Sequence, residues 1–165
     1  YNSHYHWKEQ GIVADYVIIM GYDEHYGGSQ EVGSVASIDY VEEGISTMVQ
    51  YVPAEKVVNA VPFYTRIWET TSEGVKSQAV GMTAAENFLA QRGVEASWDE
   101  TTCQNYAQLE ENGSLFQVWL EDEQSLQVKI NVMKEYGIGG VAAWKLGYES
   151  GHPEVWAVIS DFVNG

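Results

Sequence analysis

Three apolar runs, separated by helical patterns and each ending in a polar and aromatic cluster, predict an α/β protein built on a parallel sheet. The runs lie in "DYVIIMGY" (residues 15–22), "KVVNAVPFYTRIW" (56–68) and "IGGVAAWKLG" (138–147). They are apolar with almost no alternation, the pattern of parallel strands covered on both faces. Their ends read "GYDEHY", "FYTRIW" and "WKLGYE". In parallel α/β architectures the C-terminal strand ends share one edge, where ligand sites form, so the buried runs deliver their polar residues to one mouth.

The elements follow in order. After the first strand and the loop "DEHYGGSQEVGSVAS", the segment "IDYVEEGISTMVQYV" places Ile38, Val41, Ile45, Met48 and Val49 at helical spacing. Ser37 is its expected N-cap, Asp39, Glu42 and Glu43 put negative charge where the helix dipole favours it, and Pro53 ends it. The second strand is expected to run to Phe63 or Tyr64, and the rhythm breaks at Glu69. "GMTAAENFLAQRG" reads as a short helix capped by Thr83, with Glu86 three residues on and Gly93 closing it. "SWDETTCQNYAQLEENGSLFQVWLE" alternates about Asn112-Gly113, a two-residue hairpin signal preferred over the glycosylation sequon that the same residues form with Ser114. Leu126, Ile130, Val132, Met133 and Tyr136 then line one side of a helix that stops at Gly137, and a last helix starts at Pro153. The expected organisation is thus residues 1–68 in the parallel α/β part, a small α+β insertion at 69–118, and 119–165 in the parallel part again.

Composition narrows the function classes. Among 165 residues, 24 Asp plus Glu against 8 Lys plus Arg give a net charge of -16, which repels phosphate backbones and anionic lipid surfaces. Neither nucleic acid nor a membrane surface is an expected partner, and no apolar run approaches the roughly 20 residues of a membrane-spanning helix. The opening "YNSHYHWKEQG" lacks the basic start and apolar middle of a signal peptide and reads as a cut rather than a natural beginning. A single cysteine, Cys103, excludes an internal disulfide and leaves the redox compartment open. His4 and His6, spaced i, i+2 with no cysteine nearby, read as a polar terminus rather than a metal site.

Each candidate site residue has a structural reading beside the functional one. Tyr22, Asp23 and Glu24 are either solvated loop residues or ligand contacts; Tyr64 and Arg66 are a packed ring and an ion-pair partner of Asp23 or Glu24, or part of a site; Trp144 is core or an exposed platform. Taken together they favour a site. An acid, a guanidinium, two phenols and an indole on one edge suit a neutral polar ligand such as a sugar, whose C–H faces stack on rings while its hydroxyls and amides take directional hydrogen bonds.

At these residues the chain resembles the chitinase-like glycoside hydrolases of family 18. "MGYD" resembles the M-x-Y-D at the end of that family's barrel strand six, "VPFYTR" its P-F-Y-x-R at strand seven, and "GGVAAWKLG" its tryptophan-bearing strand eight. "VWLEDEQSLQVK" resembles the segment that leaves the insertion domain, and "YDEHY…VGSVAS" with "AAWKLGYE" is similar to the bacterial branch associated with spore peptidoglycan. The likeness runs from about Lys8 to Val163. It implies a partial (β/α)8 TIM barrel, strands six to eight with their helices, carrying an α+β insertion. It also implies substrate-assisted retaining hydrolysis, in which the N-acetyl oxygen of the sugar attacks its own anomeric carbon while a protein Glu protonates the leaving oxygen. Tyr22 and Asp23 would support the acetamido group, Tyr64 and Arg66 would bond sugar hydroxyls or amides, Trp144 would floor the cleaved sugar's subsite, and Met20 would pack below it. For Glu24 and His25 the resemblance reaches only the branch; Glu24 is included among the substrate contacts. No metal or other cofactor is implied.

One departure stands out: the family's D-x-x-D-x-D-x-E, whose last Glu donates the proton, occurs nowhere in these 165 residues. Asp99-Glu100 and Asp122-Glu123, in the insertion and at a helix start, do not replace it. The isolated chain is therefore expected to be inactive, and the parent protein to be either a hydrolase of N-acetylglucosamine-containing glycans, peptidoglycan before chitin, or a non-catalytic, lectin-like sugar-binding barrel. An extracellular, cell-wall or spore-envelope location follows from the same resemblance. Three consecutive barrel strands would leave two apolar edges, at 16–20 and 141–144, so self-association is expected.

Overall fold

The computed structural model describes residues 5–165, so His4 lies outside the described residues. In chain order the elements are α1 (Trp7–Val13), β1 (Val17–Met20), α2 (Ile38–Met48), β2 (Val57–Pro62), β3 (Tyr64–Thr71), β4 (Gly74–Gly81), α3 (Met82–Ala90), β5 (Ser97–Asp99), β6 (Gln104–Glu111), β7 (Ser114–Leu120), α4 (Glu123–Glu135), β8 (Gly140–Trp144) and α5 (Glu154–Asn164). The three apolar runs form one parallel sheet in the order β1-β2-β8. Its register aligns Met20 with Ala60 and Ala142, and Pro62 with Trp144. All three strand ends, and the clusters behind them, therefore share one edge.

One face of this sheet is covered along all three strands, the other only along the central strand. Val17, Ile19, Val57, Val61, Val141 and Ala143 pack into the main core with Val41 and Ile45 of α2, Leu126, Ile130 and Met133 of α4, and Val155 of α5. On the opposite face Ile18, Met20 and Trp144 are 60%, 69% and 55% exposed. The expectation of strands buried on both sides holds for the central strand β2 and fails for β1 and β8, which occupy the two edges of the sheet.

The second sheet is antiparallel, in the order β4-β3-β7-β6-β5, and α3 covers one face through Ala85 and Leu89 on Ala107 and Val118. It begins at Tyr64 rather than at Glu69. The expected single strand at 56–68 divides at Phe63, and β3 leaves to pair with β4 and β7. The backbone stays extended through both halves, so the change of sheet is set by which strands pair with each half and not by a break in the local pattern. At the β6–β7 turn Asn112 (φ 53°) and Gly113 (φ 81°) are both left-handed, as a type I′ turn requires. Ser37 caps α2, its hydroxyl accepting the Tyr40 N–H, but that helix stops at Met48 and Pro53 instead introduces a short 3-10 turn. Thr83 is not the cap of α3. Gly81 holds that position, because its backbone lies so close to Tyr148 that an added Cβ would sit 2.7 Å from the Tyr148 carbonyl oxygen.

A buried polar network ties the two sheets together. Glu121, 3% exposed, follows β7 and accepts from Lys129 Nζ of α4 at 2.9 and 3.0 Å and from the Ser125 hydroxyl at 2.9 Å. Gln104 of β6 donates to Glu121 at 2.6 Å and accepts from the hydroxyl of Ser34, in the loop after β1. Burial pushes the Glu121 carboxyl above the ordinary range, and the Lys129 ammonium pulls it part of the way back. Lys129→Met should destabilise the fold by about 3–5 kcal/mol by leaving that carboxylate without a cation. The carboxyl of the variant would rise further, and a raised folded pKa contributes stability that is lost as pH increases through it. The deficit relative to wild type, read by urea unfolding, should therefore be smaller at pH 4.5 than at pH 7.5; equal deficits at both would place the damage in packing alone.

Candidate functional site

The mouth forms where β1 gives way to its loop. Gly21 donates its N–H to the Ala60 carbonyl at 2.9 Å and lies against the fully buried Asn59 side chain; a Cβ there would stand 2.5 Å from Asn59 Oδ1. Only a glycine lets the chain turn so tightly across β2. Two residues later Asp23 adopts a left-handed φ of 63°, unusual for a side chain with a Cβ and several-fold enriched in Asp and Asn. This conformation turns its carboxylate to accept the phenol O–H of Tyr64, at the start of β3. The Tyr22 and Tyr64 rings meet edge to face at 6.0 Å, and Tyr40 of α2 donates to the Tyr22 carbonyl at 3.3 Å. Burial first, then the hydrogen bond to Asp23, raises the Tyr64 phenol above its ordinary range; burial and the Asp23 charge do the same for Tyr22. Both phenols therefore remain protonated hydrogen-bond donors at neutral pH.

The other expected residues divide. Glu24 turns away from the mouth: its Oε2 accepts the Ser37 N–H at 2.8 Å and its N–H reaches the Val35 carbonyl at 3.0 Å, which closes the loop onto the start of α2. His25 Nδ1 lies 2.8 Å from the Ser34 carbonyl within the same loop. Arg66 forms no ion pair with Asp23 or Glu24 among the described residues. Its Nη1 donates to Ser77 of β4 at 3.0 Å and lies close to Gly27, while its Nε is buried without a partner. Its charge still acts on Tyr64. Met20 and Trp144 present exposed side chains on the open face of the parallel sheet, and the Trp144 carbonyl anchors the Phe63 N–H at 2.7 Å.

Two residues of the third cluster join the site without having been singled out. The Tyr148 ring meets Tyr64 at 6.5 Å, and Lys145 Nζ stands 4.7 Å from the centre of the Tyr148 ring. Their only signal was membership of the quoted strand end "WKLGYE". Ser77, which receives Arg66, lies in a strand that no site motif touched.

Parallel strand ends carrying Tyr22, Asp23 and Trp144, beside an antiparallel sheet that starts at Tyr64, define an α/β class of protein. The chain belongs to the glycosyl hydrolases family 18, whose model matches residues 1–149. The cortical fragment-lytic enzyme of Bacillus anthracis is 31% identical over 156 residues, covering 93% of this chain and 36% of that protein. Among solved structures, the Bacillus cereus spore cortex-lytic enzyme SleL superposes with a TM-score of 0.84 at 29% identity, over 94% of this chain and 36% of that one. A chitinase from Chromobacterium violaceum ATCC 12472 gives a TM-score of 0.86 at 26% identity, over 99% and 52%. The chain thus spans little more than a third of the length of the curated relatives it is similar to.

The tight contact at Gly21 can be checked directly. Gly21→Ala should cost about 1–3 kcal/mol through overpacking against Asn59. The double variant with Asn59→Ala should recover part of that loss in thermal unfolding, and strictly additive losses would show that the two residues do not press on one another.

Proposed function

We propose that the protein containing this chain is a glycoside hydrolase that cleaves N-acetylglucosamine-containing glycans, peptidoglycan in preference to chitin, by substrate-assisted retaining hydrolysis. The observation that carries this reading is the Asp23–Tyr64 hydrogen bond beside Tyr22, at the shared strand-end mouth of a family 18 chain. In it, Asp23 and Tyr22 orient the acetamido group and stabilise the positive charge that develops on it as its oxygen attacks the anomeric carbon. Tyr64 holds Asp23 in place and offers a phenol to the sugar. Arg66, held by Ser77 through Nη1, donates to the substrate from the rest of its guanidinium; Trp144 forms the floor of the sugar subsite and Met20 lies on the same open face. Glu24 acts through the loop, not on the substrate. The proton-donating Glu comes from polypeptide outside these 165 residues. The parallel sheet corresponds to strands six to eight of a (β/α)8 barrel, with β3 to β7 and α3 as its insertion. The names of the relatives, which refer to spore cortex and cortical fragments, favour a cell-wall or spore-envelope setting.

The complete polypeptide should release reducing ends from peptidoglycan, while the 165 residues alone should release none, since a positioned general acid contributes roughly a hundred- to ten-thousandfold. Arg66→Ala in the complete polypeptide should lower kcat/KM by about ten- to a hundredfold with little change in melting temperature. Binding without cleavage by the complete polypeptide would instead establish a lectin-like barrel. Unchanged turnover with a collapsed melting temperature would make Arg66 a structural residue.

For the isolated chain, the two unpaired strand edges and the open face with Ile18, Met20, Trp144 and Leu146 favour self-association, most simply as a two-fold dimer. Light scattering at micromolar concentration should give at least twice the monomer mass. A monomer that melts cooperatively would refute this.

A further inference from the structure

The charge pattern at the mouth bears on which glycan is preferred. The chain carries a net charge of -16, which repels a substrate bearing carboxylates unless a local cation offsets it. Most cations are engaged or distant: Lys56 donates to the Gly11 and Ala14 carbonyls, Arg92 pairs with Glu111, Lys129 pairs with Glu121, and Lys8, Lys76 and Lys134 lie on α1, β4 and α4. Two remain beside the tyrosine cluster. Arg66 is two residues past Tyr64, and Lys145 directly follows Trp144.

Lys145 is exposed and has no carboxylate partner among the described residues. The nearest acid in sequence, Glu149, is buried and turned inward, where its Oε2 accepts the Gly147 N–H at 2.7 Å. The ammonium instead lies over the Tyr148 ring, at 4.7 Å, and that ring packs against Tyr64. The turn is held firmly: Tyr148 N–H bonds to the Lys145 carbonyl at 3.0 Å and the Tyr148 carbonyl accepts the Met82 N–H at 2.9 Å. Neither acid of the mouth forms an ion pair with it among the described residues: Asp23 accepts the Tyr64 hydroxyl and Glu24 the Ser37 N–H. A positive charge carried on a hydrogen-bonded turn next to Trp144, with no carboxylate partner among the described residues, fits a ligand that brings a carboxylate of its own.

We infer that Lys145 is a specificity-determining residue, which selects glycans carrying a free carboxylate, such as a muramyl sugar whose lactyl group bears no peptide, over neutral N-acetylglucosamine oligomers. The inference rests on the reading of this mouth as a glycan site. The matched probes are the disaccharide of N-acetylglucosamine with N-acetylmuramic acid and the disaccharide of two N-acetylglucosamines, which differ by one lactyl carboxylate. Calorimetric titration of the complete polypeptide should show tighter binding of the muramyl disaccharide. Lys145→Met should reduce that preference by about three- to fivefold, the range of a solvent-facing ion pair, and Lys145→Arg should restore it. Raising the salt to about 1 M, where the screening length falls to about 3 Å, should erase the preference in the wild type. Equal wild-type affinity for the two probes, or a Lys145→Met variant that weakens both alike, would overturn the inference. Cleavage of both disaccharides is assayed in parallel: preference without cleavage removes the hydrolase reading and leaves this one standing, whereas cleavage without preference does the reverse.

Discussion

A carboxylate buried to within a few per cent must find compensation inside the protein, and the position of Glu121 makes that requirement organise both sheets. Its acceptor sites are filled by Lys129 and Ser125 from α4 and by Gln104 from β6, and Gln104 in turn takes the Ser34 hydroxyl. Three chain segments, at Ser34, at Gln104 and at 121–129, are thereby tied to one charge. Hydrophobic packing of α4 on the parallel sheet would tolerate some sliding, since apolar contact has no direction. Hydrogen bonds to a buried carboxylate do not, so the antiparallel sheet is held at a set position relative to α4 and to the loop that follows β1.

That loop is where the constraint reaches the site. Ser34 is fixed to Gln104, Gly33 accepts the buried Trp68 indole N–H at 2.8 Å, and Glu24 is bonded to Ser37. The loop is pinned at its far end to the sheet that bears Tyr64, and at its near end Gly21 is pressed on Asn59. Asp23, between these anchors, has little freedom left, which makes its left-handed backbone tolerable and aligns its carboxylate with the Tyr64 phenol. The polar residues that follow the buried run in β1 are ordered from both sides.

Much of this was legible beforehand because the signals were local. Ser37 before an amphipathic run, Asn112-Gly113 between alternating segments and Gly137 after α4 each impose backbone geometry on their immediate neighbours, and all three hold. Tyr22, Asp23 and Tyr64 were legible through position, since strand ends in a parallel sheet converge. What escaped was set by contacts distant in sequence. The start of the antiparallel sheet at Tyr64 depends on pairing with β4 and β7, and the place of Gly81 at the head of α3 depends on the backbone of Tyr148. Glu24 looked like a site acid because nothing in its neighbourhood shows that a backbone N–H thirteen residues away will claim it. α1 went unread because its seven residues, with one buried glycine, carry no apolar periodicity.

The open face of the parallel sheet follows from the same logic of uncompensated surface. Ile18, Met20 and Trp144 sit in the register of β2 residues that are themselves buried or half-buried, so each exposed side chain borders covered ones rather than standing alone. Isolated apolar residues on a surface need no explanation, but a strand-wide apolar band ending at a ligand mouth does. α2, α4 and α5 already cover the other face, so burying this band falls to a partner that packs along β1 and β8 from Ile18 and Met20 to Trp144, and the apolar contact it would gain has no direction of its own.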